Sequence, residues 1–215
     1  RKDNKESIQR VLKQTVRICM KINLIEGNCL FTDSSKIRGA ASVDETRTRK
    51  GWEQKLAEVD RGIEELPTEC DEIDAKETGS LVEMVEEIED QVKLQSKIKS
   101  LLGQMEQEGL QKINGTDKDC VNFKGRQGSH AGYSAHITVD EKNGLIVSAD
   151  VVSEAGDKHQ FSNQIEQAVA TLGKPCRTAV ADAGYSNMDN IKQTVSKDID
   201  VIVPTQRQAL HTVQD

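Results

Sequence analysis

Hydrophobic and polar positions along this chain change period several times, and each change predicts an element. In residues 5 to 25 the apolar side chains of Ile8, Val11, Leu12, Val16, Cys19, Met20 and Ile22 recur at helical spacing, with Thr15 in the same stripe and lysines and arginines opposite. That spacing predicts an amphipathic helix with a basic side. A short apolar run, Cys29 to Thr32, comes after Gly27-Asn28 and predicts a strand ending on Asp33. From about Arg49 to Gln111 the period is helical again. One stripe runs through Trp52, Leu56, Val59, Ile63 and Leu66, and a second through Leu81, Met84, Val85, Ile88, Val92, Ile98, Leu101, Leu102 and Met105. With Pro67 as an interruption near a polar turn, the two stripes predict an antiparallel helical hairpin.

Residues 113 to 132 are glycine-rich and polar and read as a loop. Residues 132 to 153 alternate apolar and polar on both sides of Lys142-Asn143-Gly144, and Asn-Gly between alternating runs predicts a β-hairpin. The last third reads as a helix over about 160–172, a strand over 178–182, a helix over about 187–195 and a strand over 201–204. The order is strand, long helical segment, strand, strand, helix, strand, helix, strand. That order describes an α/β protein with a mixed sheet flanked by helices.

Charge refines this picture. The net charge of −7 speaks against a nucleic-acid partner, but residues 64 to 90 hold twelve acids against one base, Lys76, so this block carries −11 and the rest of the chain +4. The remainder is therefore free to face an anion. Five cysteines stand singly, with no C-x-x-C pair, and read as reduced structural thiols. No apolar run approaches the roughly 20 residues of a membrane span. The expected setting is cytoplasmic, with no membrane partner.

Asp33 and Asp182 end separate predicted strands, where open α/β sheets place their ligands. Carboxylates brought together from neighbouring strands can hold Mg²⁺ or Mn²⁺ through oxygen. The alternative for each is helix capping or turn formation. Asp117 reads as a turn residue, and Asp157, beside His159 and ahead of a helix, as its cap.

The chain resembles the DDE transposases of bacterial insertion sequences over most of residues 27 to 207. "FTDSSKIRGAAS" is similar to the family's first acidic motif, "GYSAHITVDEKNGLIVSADVVSEAGD" to its second and third strands and the segment after them, and "VADAGYSN" to its second acidic motif. The resemblance implies a ribonuclease H-like mixed sheet flanked by helices, with a long helical-hairpin insertion between strands 1 and 2. It divides the chain into an N-terminal helix (1–26), a core (27–48 and 112–215) and an inserted hairpin (49–111). It also implies Asp33 and Asp182 as catalytic metal ligands, two Mg²⁺ or Mn²⁺ ions in the complete site, and DNA, both element ends and target, as partner. Lys36, Arg38, Lys124, Arg126 and Tyr185 are candidate DNA contacts. The implied activity is cleavage and strand transfer of an insertion sequence.

The chain departs from the pattern in one respect: the family's third acid is a Glu on a helix after the last strand, and no Glu occurs after Glu166. The chain is therefore expected to be a fragment or truncated copy, inactive without that residue. Two rival functions are an interaction protein that forms a homo-oligomer through the hairpin, and a metal-dependent nuclease that hydrolyses without transfer.

Overall fold

The structure, a computed structural model, describes residues 4–74, 81–125 and 128–205. The chain divides into two compact units, residues 1–38 with 133–215, and residues 39–132.

In the first unit, helix α1 (Lys5–Lys21) precedes strand β1 (Cys29–Arg38). The chain re-enters this unit in strand β5 (Gly128–Asp140), then forms β6 (Ile146–Val152), α4 (Phe161–Leu172), β7 (Thr178–Ala181), α5 (Met188–Val195) and β8 (Asp200–Ile202). Across the sheet the order is β6-β5-β1-β7-β8. β5 and β6 are antiparallel, whereas β1, β7 and β8 are parallel. β1 and β5 also run antiparallel, because Glu141 N–H donates to the Cys29 carbonyl, Thr32 meets Thr138, and Lys36 meets Ser134. This is the strand sequence expected of a ribonuclease H-like sheet, three antiparallel strands continued by two parallel ones.

Apolar spacing explains the packing. On α4, Phe161, Ile165, Ala168 and Leu172 step by four, three and four and are all buried, against Leu30 of β1, Val147 of β6 and Ala179 of β7. α4 stops at Gly173, whose φ of +74° suits glycine and whose N–H donates to the Val169 carbonyl. Val16 anchors α1 to the same core, while Ile8, Val11, Ile18 and Ile22 remain exposed.

The β5–β6 hairpin turns at Lys142-Asn143-Gly144 as the sequence predicts, with Gly144 N–H donating to the Asp140 carbonyl at 3.0 Å. The buried Asp140 carboxylate accepts from the backbone N–H groups of Gly27 (2.6 Å), Glu26 (3.1 Å) and Lys142 (3.3 Å), tying the start of β1 to this turn. Removing it strands a buried Gly27 N–H, so Asp140→Ala is expected to cost about 2–3 kcal/mol in urea denaturation. A change within about 0.5 kcal/mol would show that water replaces the carboxylate.

The second unit holds a 3₁₀ turn (Val43–Glu45), strand β2 (Thr46–Thr48), helices α2 (Arg49–Asp74) and α3 (Leu81–Glu108), and strands β3 (Lys112–Asn114) and β4 (Val121–Gly125). The helices pack antiparallel, with Arg49 against Glu106 and Asp60 bonded to Gln95. Trp52, Val59, Ile98, Leu101, Met105 and Ile113 form their core. β2 pairs with β3, and β4 with the first residues of β5.

The structure corrects three readings. β1 continues past Asp33 to Arg38. Its second half is polar and faces the equally polar Ser134 and His136 of β5, so hydrophobic alternation did not mark it. α2 runs through Pro67 to Asp74, so the expected interruption there is absent. The stretch read as a loop contains β3 and β4, which are too short to establish a period. The side chains of Leu66, Leu81, Met84, Val85 and Cys70 lie outside the described ones, whereas Cys19, Cys29, Cys120 and Cys176 are not in disulfides. Among the described residues no helix is long and apolar enough to cross a membrane.

Candidate active site

Parallel pairing brings the two acids together. The β1–β7 register ends at Thr32 opposite Ala181, so Asp33 and Asp182 are the next residues on neighbouring strands. Neighbouring strands lie about 4.8 Å apart, close enough for two carboxylates to share a cation. β1 continues beyond Asp33 while β7 stops, so the acids stand where the parallel pair separates. Asp182 then caps a 3₁₀ turn (Ala183–Tyr185), its carboxylate accepting from Gly184 N–H at 2.9 Å and its carbonyl from Tyr185 N–H at 3.2 Å. Asp33 accepts from Ser34 N–H at 2.7 Å. The capping alternative thus describes Asp182 correctly, and the cap engages one of its two carboxylate oxygens.

A third carboxylate approaches the same place. A Cβ on Gly184 would lie 3.0 Å from one oxygen of Asp182 and 3.6 Å from Oδ2 of Asp157, so a larger residue would press on Asp182 and touch Asp157. Asp157 does not cap α4 with its side chain. Its carboxylate instead accepts from Lys36 Nζ at 2.6 Å, which corrects the capping reading. Lys36 Nζ also donates to Ser134 Oγ at 2.6 Å.

Behind the acids lies a polar ladder that is buried on its β5 side. Thr32, Ser34 and Lys36 share one face of β1, and Ser134, His136 and Thr138 the facing side of β5. Ser134 Oγ meets His136 Nε2 at 3.1 Å, and His136 Nδ1 meets the Tyr185 hydroxyl at 2.7 Å. The Tyr185 ring is fully buried and packs edge-on against His136 and Phe161. A base could not stack on it without unpacking this core, which corrects the reading of Tyr185 as a DNA contact. Burial and the charge of Asp157 raise its phenol well above the usual range.

Burial likewise lowers the pKa of His136, partly opposed by the charge of Asp157. A histidine depressed in the folded state stays neutral while its unfolded counterpart takes up a proton below about pH 6.5, so stability falls as pH drops through that value. His136→Gln is expected to flatten this part of the stability profile, read from urea midpoints between about pH 7.5 and 5. An unchanged slope would assign it to another group.

The remaining candidates are dispersed. Arg38 is exposed at the end of β1, Lys124 is exposed on β4 of the second unit, and Arg126 lies outside the described residues. Asp117 makes the turn it was read to make, accepting from Asp119 N–H. Sequence reasoning missed Ser134 and His136. The available signal was the polar series Ser134, His136, Thr138 on the alternating face of a strand that should be buried.

The transposase DDE domain family matches residues 106–213, which take in Asp157, Asp182 and Tyr185 but not Asp33. The chain belongs to this family. No curated protein matches it. The sheet of this transposase domain thus carries the segment "VADAGYSN" at the carboxyl end of β7, which lies between two parallel strands.

Proposed function

We propose that this transposase domain serves metal-dependent cleavage and strand transfer of DNA at the ends of an insertion sequence, with Asp33 and Asp182 as metal-binding catalytic acids. The observation that carries the reading is the β1–β7 register, which sets the two acids side by side on neighbouring strands. Among the described residues no group of three or more His, Cys, Asp and Glu is disposed to hold a metal. Two carboxylates nevertheless fit Mg²⁺ or Mn²⁺, which are held by one or two protein carboxylates with water and substrate phosphate completing the shell. Such ions activate a water or 3′-hydroxyl and stabilise the leaving oxygen of a phosphodiester.

The chain's own residues have separate tasks in this reading. Asp33 and Asp182 supply negative charge at fixed spacing, and the cap on Gly184 N–H keeps Asp182 from turning away. A third acid belongs to the complete site in this reading, and residues after Glu166 supply no Glu for it. In this reading the α2–α3 pair is a helical insertion in a ribonuclease H-like core.

Lys36 is engaged by Asp157 and Ser134, which leaves Arg38 and Lys124 as the more accessible phosphate contacts. Binding to a non-specific duplex is expected to weaken steeply with salt, and Lys124→Ala to reduce the slope of log K against log salt by about 1. Fluorescence anisotropy at roughly 50–200 mM salt reads both effects. Salt-independent binding would count against a phosphate-facing surface and favour the interaction-protein alternative.

A further inference from the structure

Tyr185 closes the turn that begins at Asp182, yet its hydroxyl bonds to β5, two strands away across β1. Its partner there, His136, lies opposite Ser34, the residue after Asp33, in the β1–β5 register. One buried side chain therefore ties the turn that follows Asp182 to the β5 position opposite the neighbour of Asp33. Resting on the proposed function, we propose that Tyr185 and His136 are positioning residues, a buried relay that fixes the spacing of the two acids, with Lys36 as its charged origin.

The direction of the relay is set by which atoms can donate. Lys36 Nζ has only donors, so it donates to Ser134 Oγ and to Asp157 Oδ1, both at 2.6 Å. The Ser134 hydroxyl hydrogen then has two acceptors within reach, His136 Nε2 at 3.1 Å and Asp157 Oδ1 at 3.4 Å. An O–H···O contact of 3.4 Å is longer than the usual range, so the hydrogen goes to Nε2. A neutral imidazole that accepts at Nε2 carries its hydrogen on Nδ1, and so donates to the Tyr185 oxygen. The phenolic hydrogen is left to point away from His136. These bonds run the same way, from the lysine on β1 through β5 to the turn that follows Asp182. The ring of Tyr185, wedged against Phe161, resists rotation out of this line.

The relay explains why β5 buries Ser134 and His136 where its neighbours in the ladder could have been apolar. An apolar pair would pack as well but would leave the phenol of a fully buried tyrosine without a partner.

The test combines amide hydrogen exchange, Mn²⁺ titration and ¹⁵N NMR on the full chain and Tyr185→Phe, with Ile165→Val as a control in the same core. Tyr185→Phe keeps the ring and deletes only the hydroxyl. Exchange of the Gly184 and Tyr185 amides is expected to quicken about tenfold, and Mn²⁺ affinity to fall about tenfold, the effect typical of losing an outer-shell partner. Ile165→Val is expected to lower stability and leave both readouts unchanged. His136 is expected as the neutral Nδ1–H tautomer. Unchanged exchange at Gly184 in Tyr185→Phe, or an Nε2–H tautomer, overturns the relay whatever the metal does. Failure of the functional reading looks different: wild-type protein then shows no Mn²⁺ binding that depends on Asp182, while the exchange data still decide the relay.

Discussion

Asp182→Asn is expected to lower Mn²⁺ affinity by about 100-fold or more, because it removes one of the two carboxylates that the proposed site offers a cation. The amide keeps the size of the carboxylate and can still accept from Gly184 N–H, so the 3₁₀ turn survives and the loss reflects charge alone. In a protein that supplies the third acid, strand cleavage is expected to fall on the order of 10³-fold, several kcal/mol of transition-state stabilisation. Asp33→Asn is expected to match it, and the double variant to be little worse than either, because the two acids act as a unit. Titration of Mn²⁺ monitored by electron paramagnetic resonance reads the binding effect directly. Wild-type affinity in Asp182→Asn would mean that the metal, if bound, sits elsewhere.

The largest stability effect is expected from Trp52→Ala in the second unit, about 3–5 kcal/mol in urea denaturation. Trp52 is 2% exposed at the base of the α2–α3 pair, and its indole N–H donates to the Ile113 carbonyl at 3.2 Å. Arg47 lies over its ring, 5.6 Å from the centroid, and Gly115 approaches so closely that a Cβ there would lie 2.5 Å from the indole. Truncation therefore opens a cavity and removes the indole's hydrogen bond to the Ile113 carbonyl. Hydrogen exchange should show α2 and α3 losing protection together. A cost under about 1 kcal/mol would mean that the neighbours collapse into the space, which the tight contact at Gly115 argues against.

Much of this architecture could be read from residue pattern because its elements keep to a simple period. α4 shows its buried face at Phe161, Ile165, Ala168 and Leu172, and the β5–β6 turn shows itself in Asn143-Gly144. Asp182 was legible as well, since an apolar strand running straight into an acid and a glycine marks a strand end. β1 was legible only as far as Thr32, because beyond it no residue of the strand is buried and the side chains are mostly polar. Ser34 and Lys36 are matched by His136 and Ser134, and a strand held at its partner by polar contacts has no hydrophobic signature. The same physics hid the relay: each of its members looks like an ordinary surface residue until β1 and β5 are set side by side. Tyr185 misled in the opposite sense. An aromatic next to a catalytic motif suggests stacking, whereas its hydroxyl had a buried partner 49 residues earlier in the chain.

The most direct test of the metal site is to locate Mn²⁺ in crystals of the domain by anomalous scattering. A peak bridging the carboxylates of Asp33 and Asp182 is expected at the end of the β1–β7 pair, and it should vanish in Asp182→Asn. Two carboxylates turned apart, with Mn²⁺ bound at neither, would contradict the proposed chemistry and leave both acids as turn and strand residues.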